Sequence, residues 1–223
     1  MMENHCNRLP ADLLVLGAGG NSREIAEAAQ DLGWHVLGFL DDDPEKWESI
    51  VDALPVLGPI SMAIGSDAHC VCTLATYRHP KLRQSISDKL NLDPQRWATI
   101  IHPAAHVARS AKIGIGSAVL AGAFVGAGCR IGEHVILLQG ACVSHDCTVG
   151  NYATITSGTC VAGMVRVGPG AYIGMGSLVL NGLTVGSGAI VGMGAVVTRH
   201  VPDDCVVWGN PAHNGYPLHS AED

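Results

Sequence analysis

IGIGSAVLAGAFVGAGCRIG, residues 113–132, carries an aliphatic side chain at every sixth position: Ile113, Val119, Val125 and Ile131. The step of six runs on from Ile101 through Val107 to Val143, Ile155, Val167, Val179 and Val197, seventeen positions without an insertion. Four residues after each the chain is nearly always small, as at Ala111, Ser117, Ala123, Cys129, Ala141, Cys147 and Ala153. Glycine often follows the aliphatic residue directly, as at Gly114, Gly132, Gly150, Gly168 and Gly186. A period of six is neither the 3.6 of a helix nor the alternation of a single strand, so it requires a coil that closes on itself. Three hexads make one triangular turn of eighteen residues, and stacked turns pair as parallel strands about 4.8 Å apart. The aliphatic ladders then fill the axis, and glycine serves the corners that need positive φ.

The first hundred residues follow a different rule. DLLVLGAGG (12–20) reads as a buried strand ending in a glycine turn, and NSREIAEAAQDLG (21–33) as a helix. Asn21 and Glu24 have the spacing of a capping box, and Gly33 closes the helix. WHVLGFLDDD (34–43) is a second strand, HCVCTLAT (69–76) a third, and HPKLRQSISDKLN (79–91) a second helix. Strands alternating with helices imply a small parallel sheet with helices packed on it, joined to the solenoid between Trp97 and Pro103.

Composition excludes several classes. The 223 residues suit two small domains. Hydrophobic residues make up 48%, yet no apolar run reaches the roughly 18 residues of a membrane helix. The opening MMENHCNRLPADLLVLG lacks a basic region followed by a long apolar core, which argues against a secretory signal. A net charge of −7 without a basic block argues against a nucleic-acid surface. The eight cysteines form no CxxC pair; Cys129 and Cys147, like Cys142 and Cys160, lie eighteen apart and should stack as small fillers on adjacent coils. Reduced thiols and a cytoplasmic location are expected.

Two stretches carry chemistry. The turn Gly17-Ala18-Gly19-Gly20-Asn21-Ser22 opens a helix, where exposed N–H groups favour a phosphate or pyrophosphate. It is an incomplete dinucleotide signature, since Ser22 stands at the third glycine, while Asp41 and Asp42 follow the second strand where a ribose-reading carboxylate belongs. About ninety residues are too few for a two-half dinucleotide fold, which leaves a nucleotide-linked substrate or a turn chosen for packing. The second stretch, CVSHDCTVGN (142–151), sets His145 beside Asp146. One coil away on either side stand Ala127 and Gly163, so small residues leave a trough around one imidazole. A neutral imidazole suits removal of a proton from an attacking amine or hydroxyl, and Asp146 would orient it after a bend in the chain.

The chain resembles the bacterial hexapeptide-repeat sugar O- and N-acyltransferases of the sialic-acid O-acetyltransferase type, which include UDP-amino-sugar N-acetyltransferases. The resemblance rests on VLGAGGNSREIAEAA, GFLDDD, TIIHPAAHVA, VSHDCTVGNYATI and VVTRHVPDDCVVWGNPA. It implies a small Rossmann-like α/β domain for the nucleotide-sugar over residues 1–98. A left-handed parallel β-helix with a C-terminal coenzyme A loop would follow over 99–223. It implies a cytoplasmic homotrimer that moves an acetyl group from acetyl-CoA, bound between subunits, to an amine or hydroxyl of a nucleotide-linked sugar, without a metal. By position it assigns His145 as the base and Asp146 as its partner. Gly19, Gly20, Asn21, Asp41 and Asp42 match nucleotide-sugar contacts, with Asn21 standing where the family commonly has His. Thr154 stands where many members carry a second His thought to touch the thioester carbonyl. Met175 and Met193 lie in the column expected along the pantetheine arm, and Gly209, Asn210, Pro211 and Ala212 in the loop near the adenine. His213 takes the place of a usually basic residue.

Three other readings remain open from the sequence. One is O-acetylation of sialic acid or another free sugar, and one is a non-catalytic scaffold or sugar-binding module. The third, a zinc-dependent carbonic anhydrase on the same coil, needs three converging ligands, and His102, His106, His134 and His145 occupy columns that do not converge in an obvious way.

Overall fold

The computed structural model describes residues 11–214; the stretch read against a secretory signal begins at Met1 and so lies partly outside them. The chain opens with β1 (Asp12–Leu16), α1 (Gly20–Asp31) and β2 (His35–Leu40), then adds a hairpin of β3 (Ile50–Val51) and β4 (Leu54–Gly58), followed by β5 (His69–Cys72) and α2 (Leu82–Leu90). The sheet order is β3-β4-β2-β1-β5, parallel except where β3 meets β4. The hairpin is an addition to the three strands expected from sequence.

The helix start also differs from its sequence reading. Gly19, not Asn21, is the N-cap, and the Ser22 hydroxyl three residues on accepts a hydrogen bond from the Gly19 amide at 3.1 Å. The Asn21–Glu24 box therefore does not form. Ser22 occupies the third-glycine position because its hydroxyl is buried against Thr73 Oγ1 at 2.7 Å, a partner 51 residues away. Gly33, with φ +85°, does close the helix.

From Ile100 the chain is a left-handed parallel β-helix of two-residue strands. The first face stacks Ile100–Ile101, Ala118–Val119, Ile136–Leu137, Thr154–Ile155, Tyr172–Ile173 and Ile190–Val191. The second runs from His106–Val107 through Cys142–Val143 to Val196–Val197, and the third from Lys112–Ile113 to Thr184–Val185. Partners lie eighteen residues apart, as in Phe124 with Cys142 and Cys142 with Cys160. The last coil is two residues shorter, pairing Ile190 with Val206 and Val185 with Val201. The aliphatic positions form one buried axis with the small residues, including Cys129 and Cys147. Every cysteine among the described residues is free.

Glycines after the aliphatic positions are required by close stacking: a Cβ on Gly114 would lie 2.5 Å from the Gly132 carbonyl carbon on the next coil. The two domains share a core. Leu13, Ile25, Ala28 and Phe39 of the sheet and α1 pack with Ala118, Leu120, Ile136 and Leu138 on the lower first face. No helix among the described residues is long and apolar enough to cross a membrane.

Candidate active site

From Gly116 to Gly194 the coil turns at each corner through a residue in the left-handed region, and glycine fills most of these places. Asp146 is an exception, with φ +58°, at the corner between the second and third faces. This is the bend that two adjacent side chains on a flat strand would lack. It brings Asp146 Oδ2 within 2.9 Å of His145 Nδ1. An ionised carboxylate only accepts, so Nδ1 carries the proton and Nε2 keeps a free lone pair. The ring lies over Gly163, where a Cβ would come within 2.5 Å of Nε2. Both members of the pair are more than half exposed. The arrangement can take a proton from a nucleophile delivered to Nε2 and hold the resulting imidazolium against Asp146.

The glycine turn and the second strand form another cluster. A Cβ on Gly19 or Gly20 would meet nothing within 4 Å, so the start of α1 is open to a ligand. Asp41 is drawn to this turn: its Oδ2 accepts from the Ala18 amide at 2.8 Å and from Lys46 Nζ at 3.0 Å, and its Oδ1 from the Asp43 amide. Burial opposes its charge, but these amides and the Lys46 ammonium outweigh burial and hold the carboxyl below its usual range. The Asp42 carboxylate accepts from the Ile60 amide at 2.9 Å. These two carboxylates thus brace the turn and its flanking loop, with Asp41 largely buried.

Met175 and Met193 are exposed one above the other at the corner between the first and second faces, and His145 stands at the corner between the second and third. One chain therefore keeps the column assigned to pantetheine and the base on different corners. The loop Gly209–Ala212 folds onto the top strand of the second face, with Val196 N donating to Gly209 O and Ala212 N to Val196 O. Beneath it lies a cavity of about 730 Å³, lined in part by Arg199, His200, Asn210 and His213. His213 Nε2 accepts from Trp208 Nε1 at 3.1 Å, which engages that nitrogen within the loop.

Thr154 has a partner that the sequence did not suggest. Its side chain is buried on the first face beneath α2, and its Oγ1 accepts from Arg83 Nη2 at 2.9 Å. The same guanidinium donates to Tyr152 O, Ala153 O and Leu74 O. With no carboxylate bonded to it, burial lowers the Arg83 pKa to about 10. The hydroxyl thus accepts from a guanidinium that reaches the first face from α2. Nothing at Thr154 itself signalled this, because Arg83 lies 71 residues earlier. No group of three or more metal-ligating side chains gathers among the described residues, so the four histidines weighed for zinc do not converge there.

Residues 12–90 match the family model described as the PglD N-terminal domain. Among solved structures, GDP-perosamine N-acetyltransferase from Caulobacter crescentus, a His-to-Ala variant with CoA and GDP-perosamine, is 30% identical. It superposes with a TM-score of 0.83 over 92% of this chain and 97% of that one. The acetyltransferase domain of PglB from Neisseria gonorrhoeae, in complex with acetyl coenzyme A, is 32% identical with a TM-score of 0.81 over 92% and 100%. WeeI from Acinetobacter baumannii, at 21% identity and a TM-score of 0.59, shares the fold. No curated protein matches the chain.

Proposed function

Because this chain belongs to the hexapeptide-repeat sugar acyltransferases, we propose that it transfers the acetyl group of acetyl-CoA to the amino group of a nucleotide-linked sugar, with His145 as general base. The observation that carries the reading is the His145–Asp146 bond at 2.9 Å with Nε2 left bare over Gly163. The neutral amine attacks the thioester carbonyl and its proton passes to Nε2; the new N–C bond replaces the C–S bond, and the proton returns to the leaving thiolate. Asp146 holds the ring during the charged interval. A base of this kind contributes about 10²–10⁴ in rate.

Residues 1–98 are assigned to the nucleotide-sugar, with the open amides at Gly19, Gly20 and Asn21 cradling its phosphates and the Asp41–Asp42 stretch beside them. Residues 99–223 are assigned to transfer. Met175, Met193 and the Gly209–Ala212 loop would line the coenzyme, with Arg199 and His200 on hand for its phosphates. Since Met175 and His145 stand on different corners, a site that uses both is completed by a neighbouring subunit, which favours a homotrimer. The cytoplasm, where acetyl-CoA and nucleotide-sugars meet, is the expected location.

The test incubates the protein with acetyl-CoA and a panel of UDP-, GDP- and dTDP-linked amino sugars, following thiol release and product mass. A hydroxylamine-stable acetyl product on one of them is expected. Thiol release with none, or a hydroxylamine-labile ester, would overturn the amine assignment.

A further inference from the structure

Among the described residues of the solenoid, five corners in the left-handed region lack glycine: His134, Asp146, Tyr152, Met164 and Asp204. Four have a local reason. Asp tolerates this region, and Asp146 also bonds His145. His134 and Tyr152 stack on each other with centroids 5.0 Å apart, in the shelter of Trp97 and α2. Met164, with φ +63°, has none: its residue type has no preference for the region, and it is 53% exposed, so it adds little to the core. Its column runs Gly128, Asp146, Met164 and Gly182, so Asp146 of the reactive pair lies directly beneath it.

Its place is specific. Met164 directly follows Gly163, the residue under the imidazole, and its amide donates to His145 O at 2.9 Å. Side chains at these corners lean back over the preceding coil: His134 lies against the Cβ position of Gly116, and Asp146 against that of Gly128. By the same rule Met164 would lean toward Asp146, the residue beneath it in the column. An uncompensated backbone conformation beside a reactive group points to a ligand contact.

We propose that Met164 determines acceptor specificity, its thioether forming an apolar wall beside His145 Nε2 against which the carbon face or methyl group of a deoxy-amino sugar packs. The proposal rests on His145 acting at the acceptor. An unbranched, polarisable side chain suits a wall that must follow a sugar's uneven face.

The test compares Met164→Gly and Met164→Asn with wild type, using the best substrate from a panel of UDP-, GDP- and dTDP-linked 4-amino-4,6-dideoxyhexoses. Both replacements accept the left-handed conformation, so Tm should stay equal or rise. The acceptor KM should rise about tenfold, the KM for acetyl-CoA should hold, and kcat should change little. An unchanged acceptor KM, an equal rise for acetyl-CoA, or a fall in Tm in both variants would overturn it. If wild type acetylates no member of the panel, the acetyl-transfer reading falls and this proposal with it. If His145→Ala stays active while Met164→Gly still raises the acceptor KM, only the base assignment falls.

Discussion

Two corners of the same coil system hold a histidine, and their surroundings make opposite use of it. His134 lies between the third and first faces, buried, stacked on Tyr152 and edge-on to Trp97 at 4.7 Å, with Nδ1 unpartnered. Burial, helped by the nearby Arg83 charge, lowers its pKa to about 4, so it stays neutral. His145, eleven residues on, is open to solvent and tied to a carboxylate. A ring sealed in a joint can only fill space, whereas one with a free nitrogen over a glycine can move a proton. Position in the hexad therefore selects the role more than residue type does.

The largest effect that would sharpen this contrast is on turnover. His145→Ala should lower kcat by about 10²–10⁴ while both substrates still bind, and the rising limb of the pH–rate profile should vanish with it. His134→Ala should leave that limb in place. Stability against pH gives the reciprocal result. Because the folded-state pKa of His134 is lowered, the unfolded chain binds more protons between about pH 6.5 and 4, and stability is lost as pH falls through that window. The contribution is about 3 kcal/mol at most. Urea melts at pH 7 and pH 4.5 should show this loss in wild type and a smaller one in His134→Phe.

A third, smaller change attacks the open corner without touching its histidine. Gly163 is outside the left-handed region, so Gly163→Ala suits the backbone, but its Cβ would meet Nε2 at 2.5 Å. Loss of about tenfold in kcat with an unchanged melting curve is expected, because the ring must swing off its line. Retained kcat would mean that the ring position over Gly163 is incidental. The smallest change lies farthest from either corner. Gly20→Val meets open space, so it should raise the nucleotide-sugar KM several-fold and spare acetyl-CoA, as kinetics with each substrate varied would show.

What could be read from the sequence follows how local each determinant is. The hexads specify inward and outward positions residue by residue, so the coil register, the corner at Asp146 and the trough at Gly163 were all legible. The β3–β4 hairpin was not: two residues, a turn and a five-residue strand interrupted by Pro55 leave no periodicity to count. The helix cap was misplaced because Ser22 is held by Thr73, and the Arg83 bond at Thr154 was not legible because Arg83 arrives from α2. Both features lie where a side chain is claimed by a partner more than fifty residues away.

The coil also behaves as a rule marked only in whole turns. From Val143 in the coil of His145 to Val197 beneath the Gly209 loop, the second face climbs three steps, through Val161 and Val179, or roughly 14 Å at 4.8 Å a step. Gaining or losing a turn moves one end of that span by a full graduation, with nothing in between. The reach of this face therefore changes by whole coils, or by a fraction of one through side chains at the corners.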